Sequence, residues 1–328
     1  MFLLYSRIGV RIGLAMLAAA GLYTQDAAAQ DYPSRPITLV VPFPGGGSTD
    51  LIPRVIQDGL GATLGQPIVI ENRPGASGTL GSLSVSRAQP DGYTLLFGLN
   101  PPISMNMYLQ KNFPYDPLTA FEPVSLVAST LLLLVVHPSL PAKSVRELVD
   151  YAKANPSKLS YGSAGIGTGH HILGELLKKR AGIEMVHVPY RGTGPMIQDL
   201  VSGQFMVGFS TPTAVVPLAE VGRLRLLGLA EKKRYADMPD LPTIDETVPG
   251  MDFFTFYAIF APAGTPRPIV DKLNAAIVKE LKDPRVVAKL KEQAIIPMST
   301  TPEGLTEVVK ADLAKWKVDL PLIGLEPQ

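Results

Sequence analysis

The 328-residue chain contains no cysteine. Disulfides, thiolate metal ligands and a cysteine nucleophile are therefore excluded, and stability must come from burial of a hydrophobic core. Hydrophobic residues make up 46% of the chain and charged residues 18%, which is an ordinary globular composition. The length is sufficient for two domains of typical size.

Long runs of basic charge are also missing. No basic run exceeds that of EKKR, Glu231 to Arg234, which is typical of a solvated surface. Without residues 1–29 the chain has 28 basic and 28 acidic residues, because only Arg7, Arg11 and Asp26 are charged in that segment. This balance favours neither nucleic acid nor an anionic membrane as a partner.

No hydrophobic run reaches the roughly 20 residues that a membrane-spanning helix needs. At the N-terminus, Arg7 and Arg11 precede the apolar run from Ile12 to Leu22, and the small residues Ala27 to Ala29 follow as a cleavage site. This order is typical of a secretory signal peptide. We therefore expect residues 1–29 to be removed on export and the mature protein to be soluble in a bacterial periplasm.

Short apolar segments alternate with amphipathic segments along the rest of the chain. Residues 37–43, 67–73 and 93–99 are predicted strands, and predicted helices separate them. This order is typical of a mostly parallel sheet covered by helices. The same pattern starts again after the apolar run that Pro138 and Pro141 close, so a second α/β unit is predicted in the middle of the chain.

Capping residues mark three of the predicted helices. Ser144 is the predicted N-cap of the first helix of the second unit, and Thr265 and Thr301, each followed by proline, are predicted N-caps of two C-terminal helices. No flexible linker separates the two units. We therefore predict two lobes that share strands as a hinge, with a ligand cleft between them.

A Gly-rich loop, PFPGGGSTD, follows the first predicted strand and precedes a predicted helix. Unpaired amides and the positive end of the helix dipole favour an anion at such a place. A phosphate loop would need a lysine and a dinucleotide loop the pattern G-x-G-x-x-G, and both are missing. Asp50 is expected to cap the helix. For this loop alone, a turn that only joins strand to helix remains the alternative.

The second unit contains a loop of the same design, from Ser163 to Thr168. Ser210 and Thr211 end a further predicted strand of that unit. Two such loops facing each other could hold one anion between them. Because the loops carry almost no charge, they favour a carboxylate bound by amides and hydroxyls over catalysis.

The histidines are the only obvious acid–base candidates. His170 and His171 are adjacent at a predicted helix start, so their side chains point about 100° apart and cannot easily bind one metal ion. From the residues alone, a structural role in capping or packing is favoured for His171. No G-x-S-x-G or H-E-x-x-H motif occurs, so we predict no enzyme, metal or cofactor. A Ser-His-Asp triad assembled in space stays an alternative.

Several long segments carry a family resemblance, among them YPSRPITLVVPFPGGGSTD, VIENRPGASG, LSYGSAGIGTGHH, VHVPYRGTGPMIQDLVSGQ and FAPAGTPRPIVDKLN. They occur in order from Tyr32 to the C-terminal helix and resemble the Bug (TctC-like) substrate-binding proteins of tripartite tricarboxylate transporters. The resemblance implies an α/β fold of the two-lobed type II periplasmic binding class, a Venus flytrap. Lobe 1 would comprise residues 31–128 and 255–328, and lobe 2 residues 129–254.

The resemblance also implies a function. The chain is expected to be a monomer that captures a small carboxylate and delivers it to the integral membrane subunits of a transporter. A receptor of the same fold that presents its ligand to a sensor kinase is the alternative. The implied ligand-binding residues are Phe43, Pro44, Gly45, Gly46, Gly47, Ser48, Thr49, Asn100, Ser163, Ala164, Gly165, Gly167, Thr168, His170, His171 and Ser210.

The sequence departs from the common family pattern at several of these places. His170 stands where serine is common, and Ser210-Thr211 where Asp-Asn is common. Phe256 stands where tryptophan is common, and the segment 99–106, with Pro101, Pro102 and Ile103, is more apolar than usual. Apolar groups near the cleft would favour an aromatic or medium-chain mono- or dicarboxylate over an amino acid, because an ammonium group needs an acceptor.

Overall fold

The computed structural model describes residues 32–45 and 48–325. The predicted signal peptide, residues 1–29, lies outside the described residues, and so do Gly46, Gly47 and the side chain of Ser48. Within the described part of the chain, no helix is long and apolar enough to cross a membrane.

The first sheet consists of β1 (Ile37–Val41), β2 (Ile68–Asn72), β3 (Thr94–Leu99), β4 (Phe121–Thr130), β10 (Thr255–Pro262) and β11 (Ile295–Pro297). Their order across the sheet is β11-β4-β10-β3-β1-β2. β1 pairs in parallel with β2 and β3, as the βαβαβ pattern predicts. β10 runs antiparallel between β3 and β4.

The second sheet consists of β5 (Leu133–Val136), β6 (Ser160–Ser163), β7 (Val186–Pro189), β8 (Val207–Ser210) and β9 (Arg225–Leu229). Their order is β7-β6-β8-β5-β9. β6 pairs in parallel with β7 and β8, and β5 is antiparallel to both of its neighbours.

Helices cover both sheets. With the first sheet lie α1 (Ser48–Leu64), α2 (Thr79–Ser86), α3 (Asn106–Leu109), α4 (Pro117–Ala120), α9 (Arg267–Glu280), α10 (Pro284–Glu292) and α11 (Pro302–Leu322). The second sheet carries α5 (Val145–Ala154), α6 (Gly169–Ala181), α7 (Thr193–Ser202) and α8 (Pro212–Glu220). A short 3₁₀ turn (Ala76–Gly78) precedes α2, and a π turn (Pro101–Met105) precedes α3.

The chain crosses between the sheets twice. The apolar run that Pro138 and Pro141 close is divided between the sheets, since β4 ends at Thr130 in the first sheet and β5 begins at Leu133 in the second. The return crossing lies between β9 and β10, and Thr255 of β10 pairs with Thr130. The two crossings therefore lie side by side, and the predicted two-lobed α/β fold is confirmed.

Two of the three predicted N-caps are confirmed. The Ser144 side chain accepts a hydrogen bond from the Glu147 amide, and that of Thr301 from the Gly304 amide. The prediction for Thr265 is wrong, because its hydroxyl donates to the Pro262 carbonyl and Pro266 occupies the cap position. The helix begins one residue later because Pro268, which has no N–H to satisfy, fits in the first turn.

The C-terminal helix α11 packs on both lobes. Leu305, Val309 and Leu313 belong to a core cluster of the first sheet. Trp316 and Leu320, further along the helix, belong to the main core cluster of the second sheet. A single helix therefore contributes to two cores.

Candidate functional site

A cavity of about 220 Å³ lies between the two lobes. This is the volume of about seven water molecules, below the roughly 300–1,000 Å³ typical of drug-sized ligands. It suits a small organic molecule. The lining residues are Leu99, Asn100, Pro101, Met105, Thr130, Leu132, Gly167, Thr168, Gly169, His170, Thr211, Phe253, Thr255 and Tyr257.

The apolar wall differs in part from the prediction. Phe256 does not line the cavity but is fully buried in a core cluster of the first sheet. Phe253, Thr255 and Tyr257 line it instead, because successive side chains of an extended segment point to opposite faces. Of the three apolar residues expected near the cleft after Asn100, only Pro101 lines the described wall, and Ile103 is buried in the core.

The N-terminus of α6 forms the lobe 2 side of the cavity. The first backbone hydrogen bond of this helix is donated by the Ile172 amide to the Thr168 carbonyl, at 3.0 Å. The three preceding amides therefore have no acceptor within the helix. The Thr168 hydroxyl donates to the Gly165 carbonyl at 2.7 Å. Gly165 and Gly167 have φ of 139° and 80°, which an L-residue would adopt only with strain.

Behind this loop, histidine rings pack against each other. Ser163 Oγ and His187 Nε2 are hydrogen-bonded at 2.7 Å, and the rings of His187 and His171 stack with centroids 4.3 Å apart. His171 Nδ1 accepts from the Gly167 amide at 3.1 Å. His171 thereby holds the loop at the start of α6, and its contact with a ligand stays a prediction.

The Ser163–His187 pair lacks the features of a catalytic triad. Within the described residues, no carboxylate is hydrogen-bonded to His187, and Ser163 is fully buried. Burial, with a further contribution from His171, lowers the pKa of His187 to about 4, which makes the ring a weak base. Both hydroxyl and ring serve to fix the loop.

His170 points away from this stack and lines the cavity. Both of its ring nitrogens are buried, and neither has a hydrogen-bond partner among the residues that the structure describes. Burial lowers the pKa of His170 to about 4. Ser210, another predicted site residue, is also fully buried, and its hydroxyl has no partner within the described chain.

The first Gly-rich loop lies next to the turn that lines the cavity from lobe 1. A Cβ placed on Gly78 would lie within 3.1 Å of both the Phe43 ring and Pro102. The Phe43 carbonyl accepts from Asn72 Nδ2 at 3.0 Å. Asp50 lies in the first turn of α1 and binds Arg54 and Asn72. Contact of a ligand with Phe43, Pro44, Gly45 or Thr49 stays a prediction.

The side chain of Asn100 is engaged in the structure. Its Nδ2 donates to Asp312 Oδ2 at 2.8 Å and to the Phe254 carbonyl at 3.0 Å, and its Oδ1 accepts from the Phe256 amide at 3.1 Å. Asp312 is buried and also accepts from Ser104. These hydrogen bonds connect the wall beside the cavity to α11 and to β10.

Asp312 should make stability depend on pH. Burial raises its pKa to about 6, against opposing hydrogen bonds from Ser104 and Asn100. The Asp312 carboxyl group thus binds its proton more tightly in the folded state than in the unfolded chain. The stabilisation that results is complete below about pH 4 and is lost as the pH rises to about 6. We expect Asp312→Asn to gain up to about 3 kcal/mol relative to the wild type over this window. Urea unfolding at pH 4, 5, 6 and 7 measures this, and parallel curves would contradict it.

The sequence does not identify the residues of the crossing segments as part of the site. Thr130, Leu132 and Thr255 line the cavity because the crossings pass through the cleft floor. The only local signal for these residues is that successive side chains of residues 253–257 point to opposite faces of an extended segment. Which of the two sets lines the cavity depends on which face of the strand meets the cleft.

Comparison with known proteins places the chain among receptors. A profile described as tripartite tricarboxylate transporter family receptor matches residues 52–325. A Rhodopseudomonas palustris protein solved with adipate is 36% identical, with a TM-score of 0.77, over 91% of this chain and all of that one. MatC of the same species, solved with bound malate, is 33% identical (TM-score 0.72; 89% and 100% covered). The periplasmic binding protein BugD is 35% identical (TM-score 0.73; 90% and 100% covered).

Proposed function

The chain belongs to the receptor family of the tripartite tricarboxylate transporters, and from that premise we propose that it is a periplasmic solute-binding protein. It captures a small carboxylate between its lobes without turnover and delivers it to the membrane subunits of a transporter. The export signal predicted at residues 1–29 and the periplasmic relative BugD support this location.

One observation carries the proposal: the cavity contains the unpaired amides at the start of α6 and, among its described lining residues, no charged side chain. A carboxylate is the group that such amides bind, since they donate hydrogen bonds and lie at the positive end of the helix dipole. Thr168 and Thr211, which carry hydroxyl groups, are also among the lining residues.

Lobe closure follows from the position of the cavity. Lobe 2, proposed as residues 129–254, supplies Thr168 and His170, whereas lobe 1 supplies Leu99 and Tyr257. A ligand that touches both walls binds the closed form more tightly than the open form and therefore shifts the population towards closure.

The wall favours a carboxylate with an apolar body. Leu99, Met105, Leu132 and Phe253 surround the space behind the amides. The adipate and malate complexes of the two R. palustris relatives support a small carboxylate as ligand. An amino acid is disfavoured because no carboxylate lines the described wall to bind its ammonium group.

A thermal-shift screen tests the ligand class. The panel contains linear mono- and dicarboxylates of four to eight carbons, benzoate and phthalate, and aspartate and glutamate. A ligand present at 100 times its Kd stabilises the folded state by about 2.7 kcal/mol, which gives a clear rise in Tm. We expect the rise with aliphatic or aromatic carboxylates. A rise with aspartate or glutamate alone would refute the proposed ligand class.

Delivery to a transporter needs a separate test. We expect cells that lack this chain to lose uptake of the radiolabelled ligand, and complementation to restore it. If uptake is unchanged but a ligand-induced transcriptional response disappears, the receptor instead serves a sensor kinase.

A further inference from the structure

His170 has buried hydrogen-bonding groups that the protein itself does not use. Both ring nitrogens are shielded from solvent, and neither bonds to any described residue, although His170 is one of the residues that line the cavity. A buried polar group without a partner is unfavourable, so native structures rarely retain one without a purpose. The neighbouring His171, by contrast, bonds to the Gly167 amide and stacks on His187.

The ionisable groups on the same helix have partners of their own. Glu175 accepts from the Tyr161 hydroxyl at 2.7 Å and forms an ion pair with Lys178. Arg180, near the end of α6, pairs with Asp319. None of these groups contributes to the pKa of His170, which burial alone lowers.

Elements packed against α6 add no free charge near the ring either. His187 on β7 is bonded to Ser163. On α11, Asp312 is bonded to Asn100 and Ser104, and Lys315 pairs with Asp252. On the described cavity wall, Tyr257 is the other titratable side chain, so His170 is the one group there that can become a cation.

We propose that His170 is the specificity-determining residue that binds the second carboxylate of a dicarboxylate, and that its ring takes up one proton from solvent when it does so. This rests on the proposed function, in which the amides of α6 hold the first carboxylate. The apolar lining residues Leu99, Met105 and Leu132 are available to contact the ligand body.

The proton follows from charge balance. A dicarboxylate brings two negative charges into a cavity whose described wall has no cationic side chain. A neutral imidazole offers the carboxylate one N–H donor, whereas an imidazolium offers a donor and the opposite charge. In the empty cavity burial keeps the ring neutral, and a carboxylate at hydrogen-bond distance raises the ring's pKa again. One proton leaves the solvent, and one buried negative charge is balanced.

Adipate and hexanoate are the matched probes, because both have six carbons and differ in the second carboxylate. Isothermal calorimetry in phosphate and in Tris at equal pH gives the number of protons taken up, since the two buffers have different ionisation enthalpies. Between pH 8 and pH 6 we expect adipate binding to take up as much as about one proton and to tighten by up to about tenfold per pH unit. Hexanoate should bind more weakly and without pH dependence.

His170→Gln, which keeps hydrogen-bonding groups but cannot be protonated, should weaken adipate binding at least about tenfold and remove the proton uptake. Hexanoate binding should stay within about threefold of the wild type. The control is His137→Gln, since His137 lies outside the cavity and bonds to Ser139. It should leave both measurements unchanged. His170→Ala gives a second variant, and circular dichroism checks the fold of each.

Four outcomes overturn the inference. Proton uptake that persists in His170→Gln would assign the proton to another group, and adipate binding without uptake in the wild type would leave His170 neutral. If monocarboxylates, with or without a hydroxylated tail, bind and adipate does not, a dicarboxylate is rejected as the ligand. The proposed role as a carboxylate receptor would be retained. If no carboxylate binds, the proposed function fails as well.

Discussion

Gly169→Val is expected to lower ligand affinity at least about 100-fold while the protein stays folded. Gly169 lines the cavity, and a Cβ built there would lie 3.0 Å from Phe253 Cζ and 3.1 Å from Leu132 Cδ1, two residues that also line it. The valine side chain would occupy space in the cavity beside the α6 amides, where the carboxylate is proposed to bind. Calorimetry with the best ligand from the screen measures the loss.

Gly194→Val is the matched control for this substitution. Gly194 also lies in the first turn of a lobe 2 helix, but a Cβ there would have no atom within 4 Å. We expect its affinity to equal that of the wild type. Normal affinity in Gly169→Val would show that the ligand does not occupy this cavity.

Gly174→Ala is expected to be among the most destabilising single substitutions in lobe 2. Its Cβ would lie 2.0–2.5 Å from ring atoms of Tyr161, which is fully buried. The Tyr161 ring stacks on His187 and cannot move without displacing the histidine stack behind the ligand loop. Overpacking of this kind costs about 3 kcal/mol, and the Tm should fall on the order of 10 °C.

A double-mutant cycle identifies the cause of that loss. Tyr161→Leu frees the space that the new methyl group needs, so the double variant should be more stable than the sum of the single effects predicts. Gly194→Ala, in open space, should be neutral or slightly stabilising. Additive effects in the cycle would exclude the ring contact as the source of the destabilisation.

The sequence predicts most of the fold because its signals are local. Apolar segments of strand length alternate with helical periodicity, and the structure has strands at 37–41, 68–72 and 94–99 where they were expected. α10 and the three-residue strand β11 were not predicted, since an apolar segment as short as Ile295–Pro297 has no readable period. Local periodicity also cannot show where a buried chain changes sheets, as it does between Thr130 and Leu133.

The site is predictable only where backbone chemistry defines it. Glycines and hydroxyl residues before α6 indicate an anion-binding helix start, and two of them, Gly167 and Thr168, line the cavity. The contact of Ser163 with His187 depends on the pairing of β6 with β7 across 24 residues of sequence, which no local pattern encodes. The partnerless nitrogens of His170 are likewise a property of the packed structure.

The shared helix α11 has a consequence for how the chain folds. Residues 133–229 contain every strand of the second sheet, yet the core of that sheet also includes Trp316, whose ring lies 5.1 Å from Phe253. A ribosome completes this sheet's strands long before it reaches the tryptophan. Contacts across such sequence separations form late and slow the folding of a domain. The second lobe therefore completes its core only after residue 316 has been synthesised, and a truncation near residue 315 would affect the lobe that lies far from it in sequence.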